Sequence, residues 1–338
     1  MTDFLNALVV MTNFVFVPAL TYGSQLALGA LGVTLVFGIL RFANFAHGDL
    51  MAFGTTMVIL LTWGLQSMGI TGGPLPTALI AIVPAIALTA IAAIAIDRSV
   101  FQFYRKKRAA PVVLVISSVG VMFMLSAIVR FIMGTEDRRF TDGERFVVGA
   151  RDFREWSGLS EALTIQTTQA ITVVVALLVV VALFVFLNRS RMGKAMRAYA
   201  SNEDLALLSG VNPDRVVLVT WIIAAALATI AGALYGLDKS FKPFTYFQLL
   251  LPIFAAAILG GIGQPIGAVV GGYIVAFSEV MLTYAYKRAA TYMVPEAWAP
   301  EGLLQFLSTD YKFAVSFIIL VVVLLIRPTG IFRGAVIK

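Results

Sequence analysis

Apolar residues run in long, nearly uninterrupted blocks, and charges or Gly/Pro steps fall mostly between them. The blocks lie at about 5–22, 24–40, 46–65, 77–96, 111–133, 168–187, 216–237, 247–262, 265–285 and 311–326. A bilayer core about 30 Å thick takes about 20 helical residues to cross, and most blocks are of that order. The run ITVVVALLVVVALFVFL at 171–187 is apolar on every face, whereas a barrel strand alternates apolar and polar residues over about ten positions. The pattern predicts an all-α polytopic membrane protein with about ten transmembrane segments, forming a single transmembrane domain over 1–338. Only Gly23 separates the first two blocks, so nine spans, the first a long tilted helix with an interfacial lead-in, fit as well.

As one straight helix, residues 247–285 would measure about 58 Å, too long for the core. The break belongs at Gly260-Gly261-Ile262-Gly263-Gln264-Pro265, where glycine permits a turn and Pro265 can open the next helix. Residues 247–262 are then a full span or a re-entrant segment. Two polar excursions interrupt the blocks. In 134–167, RFVVGARDF predicts a small hairpin around Gly149. In 188–215, NRSRMGKAMRAYASNEDLALLSGVNPDR, the residues Met196, Tyr199, Leu205 and Leu208 fall near helical spacing. Asn202 is placed there to cap a second short helix and Gly210 to end it.

Composition narrows the class. Charged residues are 13% of the chain, about half the roughly 25% of soluble domains, which excludes a soluble enzyme. The net charge of +7 follows topology rather than a nucleic-acid partner, and none is expected. In the ten-span arrangement the side carrying 188–215 holds 14 basic and six acidic groups, and the other side 10 basic and 11 acidic. The positive-inside rule therefore places 188–215 and both termini, Lys338 and Arg333 included, in the cytoplasm, and 134–167 outside. The chain has no cysteine and one histidine, His47, which removes thiolate chemistry and argues against a multi-histidine metal site within it. The start, MTDFLNALVV, lacks the basic stretch of a signal peptide and reads as part of the mature protein. The phosphate-cradling pattern G-x-x-x-x-G-K-[ST] is absent: Gly193-Lys194-Ala195 lacks both the preceding glycine and the hydroxyl residue. Any nucleotide hydrolysis then belongs to a partner, and the chain is not an enzyme by itself.

Four segments narrow this further: NFAHGDLMAFG at 44–54, SRMGKAMRAYASNEDLALLSGVNPDRV at 190–216, AAAILGGIGQPIGAVVGG at 255–272 and the ending RPTGIF at 327–332. In kind and order they resemble the branched-chain amino acid permeases of ABC importers, over nearly the whole chain. The resemblance implies a bacterial inner-membrane subunit paired with a second, similar permease, two cytoplasmic ATPase subunits and a periplasmic solute-binding protein. It implies no cofactor in this chain, with ATP and Mg confined to the ATPases. It also implies a coupling helix within 190–212, for which Arg191, Gly193, Arg197, Glu203 and Gly210 are the candidate residues. The alternative is that this stretch is only a basic topology signal.

Candidate path or gate residues are Asn44, His47, Gly260, Gly261 and Gly263. Asn44 is placed to cap the third helix, with Asp49 at its positive end. His47 is read as a packed histidine at the cytoplasmic end or as a gate contact. Gly263, Gly267 and Gly271 recur at four-residue spacing, which predicts a small-residue packing face; alternatively, the break beside them offers backbone groups to a zwitterion. Arg130 and Glu279 lie inside apolar blocks and are expected to pair or share a cavity, because isolated charges in lipid are costly. The mixed-charge loop 134–167 is a possible docking face for a binding protein. The rival function is a stand-alone secondary transporter or a small-amide channel, which needs no coupling helix.

Overall fold

The structure, a computed structural model, describes residues 2–293 and 302–332. Among the described residues, nine helices are long and apolar enough to cross a membrane. They are α1 (Thr2–Leu40), α2 (His47–Ser67), α3 (Ala78–Lys106), α4 (Pro111–Met133), α6 (Thr167–Arg189), α9 (Pro213–Lys239), α10 (Pro243–Gly260), α11 (Pro265–Thr283) and α13 (Thr309–Ile326). Short elements fill the connections. The first long loop holds α5 (Ala150–Ser157) and a two-stranded pairing of β1 (Phe146–Val148) with β2 (Ile165–Gln166). The second holds α7 (Arg191–Ser201) and α8 (Glu203–Leu208), and α12 (Lys287–Met293) follows α11.

The first two apolar blocks form one helix, so the nine-span arrangement holds. Gly23 does not break it, because α11 braces that level: Ser24 Oγ and Tyr273 OH share a hydrogen bond of 2.9 Å. Pro18 does leave a mark. A proline inside a helix cannot donate to the carbonyl four residues back, and the turn before it, Thr12–Phe16, widens to a π-helix in which Val17 N–H donates to Thr12 O. From Thr21 to Val36 every residue of α1 is buried, as befits a helix apolar on all faces; α9, α10 and α11 surround it.

The start of α1 lies at the end of the bundle that carries residues 134–167. Asn6 Oδ1 accepts from Glu161 N–H at 3.1 Å, and Asn13 Oδ1 accepts from the Thr164 hydroxyl at 2.9 Å. This corrects the expectation that both termini share the side of 188–215: a single first helix puts its beginning at the opposite end. Moving Asp3 across sharpens the charge asymmetry between the two ends. Arg333 and Lys338 lie outside the described residues. The hairpin around Gly149 is also corrected. β1 forms, but its partner is β2 from the far end of the loop, and Gly149 opens α5 instead of turning a hairpin.

Two breaks in the helical pattern differ in depth. The first is residues 261–264, where α10 stops at Gly260 and Pro265 opens α11 as the pattern predicts. The second is 41–46, a short connection that turns inward. The Phe45 amide donates to Ser118 Oγ at 3.1 Å, its ring lies 5.3 Å from that of Phe254, and the His47 ring presses on Gly32 of α1. Gly32 is eight residues short of the end of α1, about 12 Å along its axis. α2 therefore begins inside the bundle rather than at its surface.

Candidate functional site

At the end of the bundle opposite 134–167, the chain builds a platform from α7 and α8. Three side-chain caps fix it. Ser190 Oγ accepts from Gly193 N–H at 2.8 Å, Asn202 Oδ1 from Leu205 N–H at 3.0 Å, and Asn212 Oδ1 from Arg215 N–H at 3.1 Å, each meeting an amide that a helix start leaves unpaired. Gly210 ends α8 with φ of +80°, and the Val211 amide reaches back to Ala206 O at 3.0 Å. That left-handed cap suits glycine because a Cβ is disfavoured there. Gly193 packs directly on the backbone of Phe186 and Leu187 at the end of α6, leaving no room for a side chain.

The platform is tied to the bundle by polar contacts. Arg41, just past the end of α1, donates to Ala200 O, and Arg197 donates to Asn188 Oδ1 at 3.0 Å. Tyr199 OH donates to Glu203 Oε1 at 2.6 Å; burial first, then this bond, pushes the Tyr199 pKa up from its usual value. Met196 and Tyr199 are buried against the bundle, but Leu205 and Leu208 are not. They are 61% and 85% exposed, so the helical spacing that seemed to mark a shared apolar face is split between a buried pair and an outward pair. Arg191, Arg197, Glu203 and Gly210 are exposed around them.

Behind the platform lies a cavity of about 540 Å³ bordered by Thr34 and Gly38 of α1, Met196, Arg197 and Ala200 of α7, and Gly263, Gln264 and Pro265. It brings Arg197 and Gly263, read separately from the sequence, to one space. Gly260 and Gly261 serve a different purpose. The chain end folds back so that Ile331 N–H donates to Leu259 O at 2.8 Å and Phe332 N–H to Gly260 O at 3.2 Å. The RPTGIF segment thus takes carbonyls that the end of α10 leaves free. Gly260 meets Gly267, and Gly271 meets the Ala256 carbonyl, in close backbone contact. Gly263, with φ of +85°, belongs to the turn and not to that packing face.

Asn44 and His47 sit at the deep start of α2. Asn44 is buried and its Oδ1 accepts from Ala46 N–H at 3.1 Å, a turn two residues ahead of the helix instead of a cap on its first free amides. His47 is fully buried, its ring against Gly32 and the Gly29 backbone beside it, and neither ring nitrogen makes a hydrogen bond of ordinary geometry among the described residues. The depth of both residues corrects their placement at the cytoplasmic end.

The pairing of Arg130 with Glu279 is likewise corrected. Glu279 is fully buried, its carboxylate held by Ser316 Oγ and by Lys312 Nζ at 3.7 Å, both from α13. Arg130 instead borders a cavity with Asp49. Sequence reasoning missed Lys312 because it stands at the edge of an apolar block, where a lysine reads as a flank. It missed that Asp49 and Arg130 border one cavity because Asp49 was assigned to the wrong depth.

The family model described as branched-chain amino acid transport system, permease component, matches residues 15–324. The chain belongs to the branched-chain amino acid permease family. It is 34% identical over 314 residues to the high-affinity branched-chain amino acid transport system permease protein LivH of Escherichia coli, covering 92% of each chain. It is 31% identical over 317 residues to the corresponding permease protein BraD of Pseudomonas aeruginosa, covering 93% of this chain and 94% of BraD. A shorter stretch of 141 residues is 30% identical to the permease protein LivM of Escherichia coli, 39% of this chain and 33% of LivM. The chain is accordingly a multi-pass membrane component of a transport system.

Proposed function

We propose that the chain is one of two transmembrane permease subunits of an ATP-driven importer for branched-chain amino acids or related small polar solutes. In this reading 188–215 faces the cytoplasm, 134–167 faces the outside of a bacterial inner membrane, and the chain forms a single permease domain. Two ATPase subunits, which carry ATP and Mg, dock on α7 and α8, and a solute-binding protein delivers solute from the other side. The similarity to both LivH and LivM, named permease proteins of one organism, supports a second permease.

The observation that carries the coupling role is the platform itself. A membrane protein has no need of two capped helices outside its spans with Leu205 and Leu208 turned to water; such a patch marks a protein contact. Behind it, α7 borders the same cavity as α1 and the 261–264 turn, so displacement of the platform reaches the interior of the bundle. A rigid short helix that biases two arrangements of its neighbours is the required mechanical element. Arg191, Arg197 and Glu203 surround the contact, Gly193 and Gly210 fix its shape, and Asn44 and His47 flank the path at the start of α2. The test is purification of the chain from cells expressing its full transport system. Two ATPases and a second permease are expected to stay bound, and leucine uptake into vesicles to require ATP. Uptake by the chain alone under an ion gradient would establish the secondary-transporter reading instead.

A further inference from the structure

A second cavity, of about 310 Å³, lies among α2, α4 and α10, bordered by Asp49, Ser126, Arg130, Phe123, Phe244 and Phe247. It combines a carboxylate, a guanidinium and a hydroxyl with three phenyl rings. Asp49 stands on the first turn of α2, which starts deep in the bundle, and is only 3% exposed. Ser126 and Arg130, one turn apart on α4, line the same cavity. Yet no ion pair joins Asp49 to Arg130 among the described residues, so the two flank a space instead of closing on each other.

The cavity opens sideways. Phe123 and Phe244 are 66% and 51% exposed at its mouth. An acid and a base beside an open apolar face would be costly against lipid. Arg130, three residues from the end of α4, can reach toward the headgroups; Asp49, short and buried, cannot. Such a face calls for water or a protein neighbour over it rather than lipid.

We infer that this cavity is a solute subsite for a zwitterion with a small apolar side chain, its ammonium group on Asp49, its carboxylate on Arg130 and its side chain against Phe244 and Phe247. The inference rests on the transport reading above and deepens it. Opposite charges on facing walls select a head that carries both, and each charged contact is the kind whose loss weakens binding by about tenfold or more. The phenyl walls favour an aliphatic side chain over a urea-like solute, which has none.

The chain has no cysteine, so a single Ser126→Cys, with Ala127→Cys as a second reporter on the same wall, gives a clean probe. In the assembled complex in vesicles, modification by a methanethiosulfonate reagent, in which the thiolate forms a mixed disulfide and methanesulfinate leaves, should slow about threefold or more in saturating leucine, by mass action. Leucinamide, lacking the carboxylate, and 4-methylpentanoate, lacking the ammonium group, should give no protection. Adding Asp49→Asn or Arg130→Gln should abolish protection by leucine while the thiol still reacts. Equal protection by all three compounds overturns the subsite. So does absence of protection by leucine, or failure of either thiol to react, in a complex that still carries leucine. Failure of the parent complex to carry leucine at all overturns the transport reading beneath it.

Discussion

Two of the charge clusters among the described residues, one at Glu279 and one at Asp49, are built in opposite ways. Glu279, Lys312 and Ser316 form a closed group: the carboxylate is sealed from solvent and both partners come from one neighbouring helix. Asp49 and Arg130 form an open one, separated by a cavity with an exposed mouth. Charges that satisfy one another hold helices in register. Charges that face an empty space stay available to something that enters it. The two backbone breaks also differ: at 261–264 the carbonyls of Leu259 and Gly260 just before the turn are taken by Ile331 and Phe332, while 41–46 delivers Asn44, His47 and Asp49 into the interior.

Lys312→Met should be the most damaging change. It leaves the Glu279 carboxylate buried without its cation, a loss of about 3–5 kcal/mol, and should lower the unfolding temperature of the purified chain sharply. Combined with Glu279→Gln it should cost less than the two single changes together, since the pair is coupled; strict additivity would show that the two do not interact. Asp49→Asn should cost far less stability while removing protection by solute, and a fall in stability as large as that of Lys312→Met would make Asp49 a structural residue like Glu279.

A third carboxylate, Asp142 in the 134–167 loop, gives the smallest effect and serves as a half-buried counterpart outside the spans. Burial raises its pKa, but hydrogen bonds from the Thr77 hydroxyl at 2.6 Å, the Gln66 amide at 2.8 Å and the Thr77 amide at 2.7 Å outweigh that and hold it below the ordinary carboxylate value. Its folded pKa is the lower one, so its contribution is complete above the unfolded value and is lost as pH falls through the folded value. Acidification through that range should lower the unfolding temperature of the parent by a few degrees, and Asp142→Asn should remove that part of the pH dependence. An unchanged profile in the variant would show that the loop clamp contributes nothing.

The spans, the 261–264 break and the caps of α8 were legible because each rests on local chemistry: apolar length, a glycine-proline step, and Asn or Gly at a helix end; the Ser190 cap that starts α7 was not read from the sequence. Depth was not legible. The residues 41–46 carry no signal that they climb inward, since Asn44 and His47 look the same at a surface as between helices. Pairing across helices was equally hidden. Glu279 lies about one turn from the end of α11, and nothing in one sequence says that Lys312 faces it. Leu205 and Leu208 show the converse, a periodicity that predicts burial where the fold leaves the face exposed.

The coupling role of 188–215 is the claim on which the functional account stands, and Gly210 is its sharpest point. Gly210→Val puts a branched side chain at a φ of +80°, a strain of about 1–2 kcal/mol, and distorts the platform without touching any membrane span. The measurement is leucine uptake per ATP hydrolysed by the reconstituted complex carrying this variant. Uptake per ATP should fall severalfold while the subunits remain assembled. Uptake and hydrolysis both equal to those of the parent would contradict the coupling role and leave the platform as no more than a basic loop.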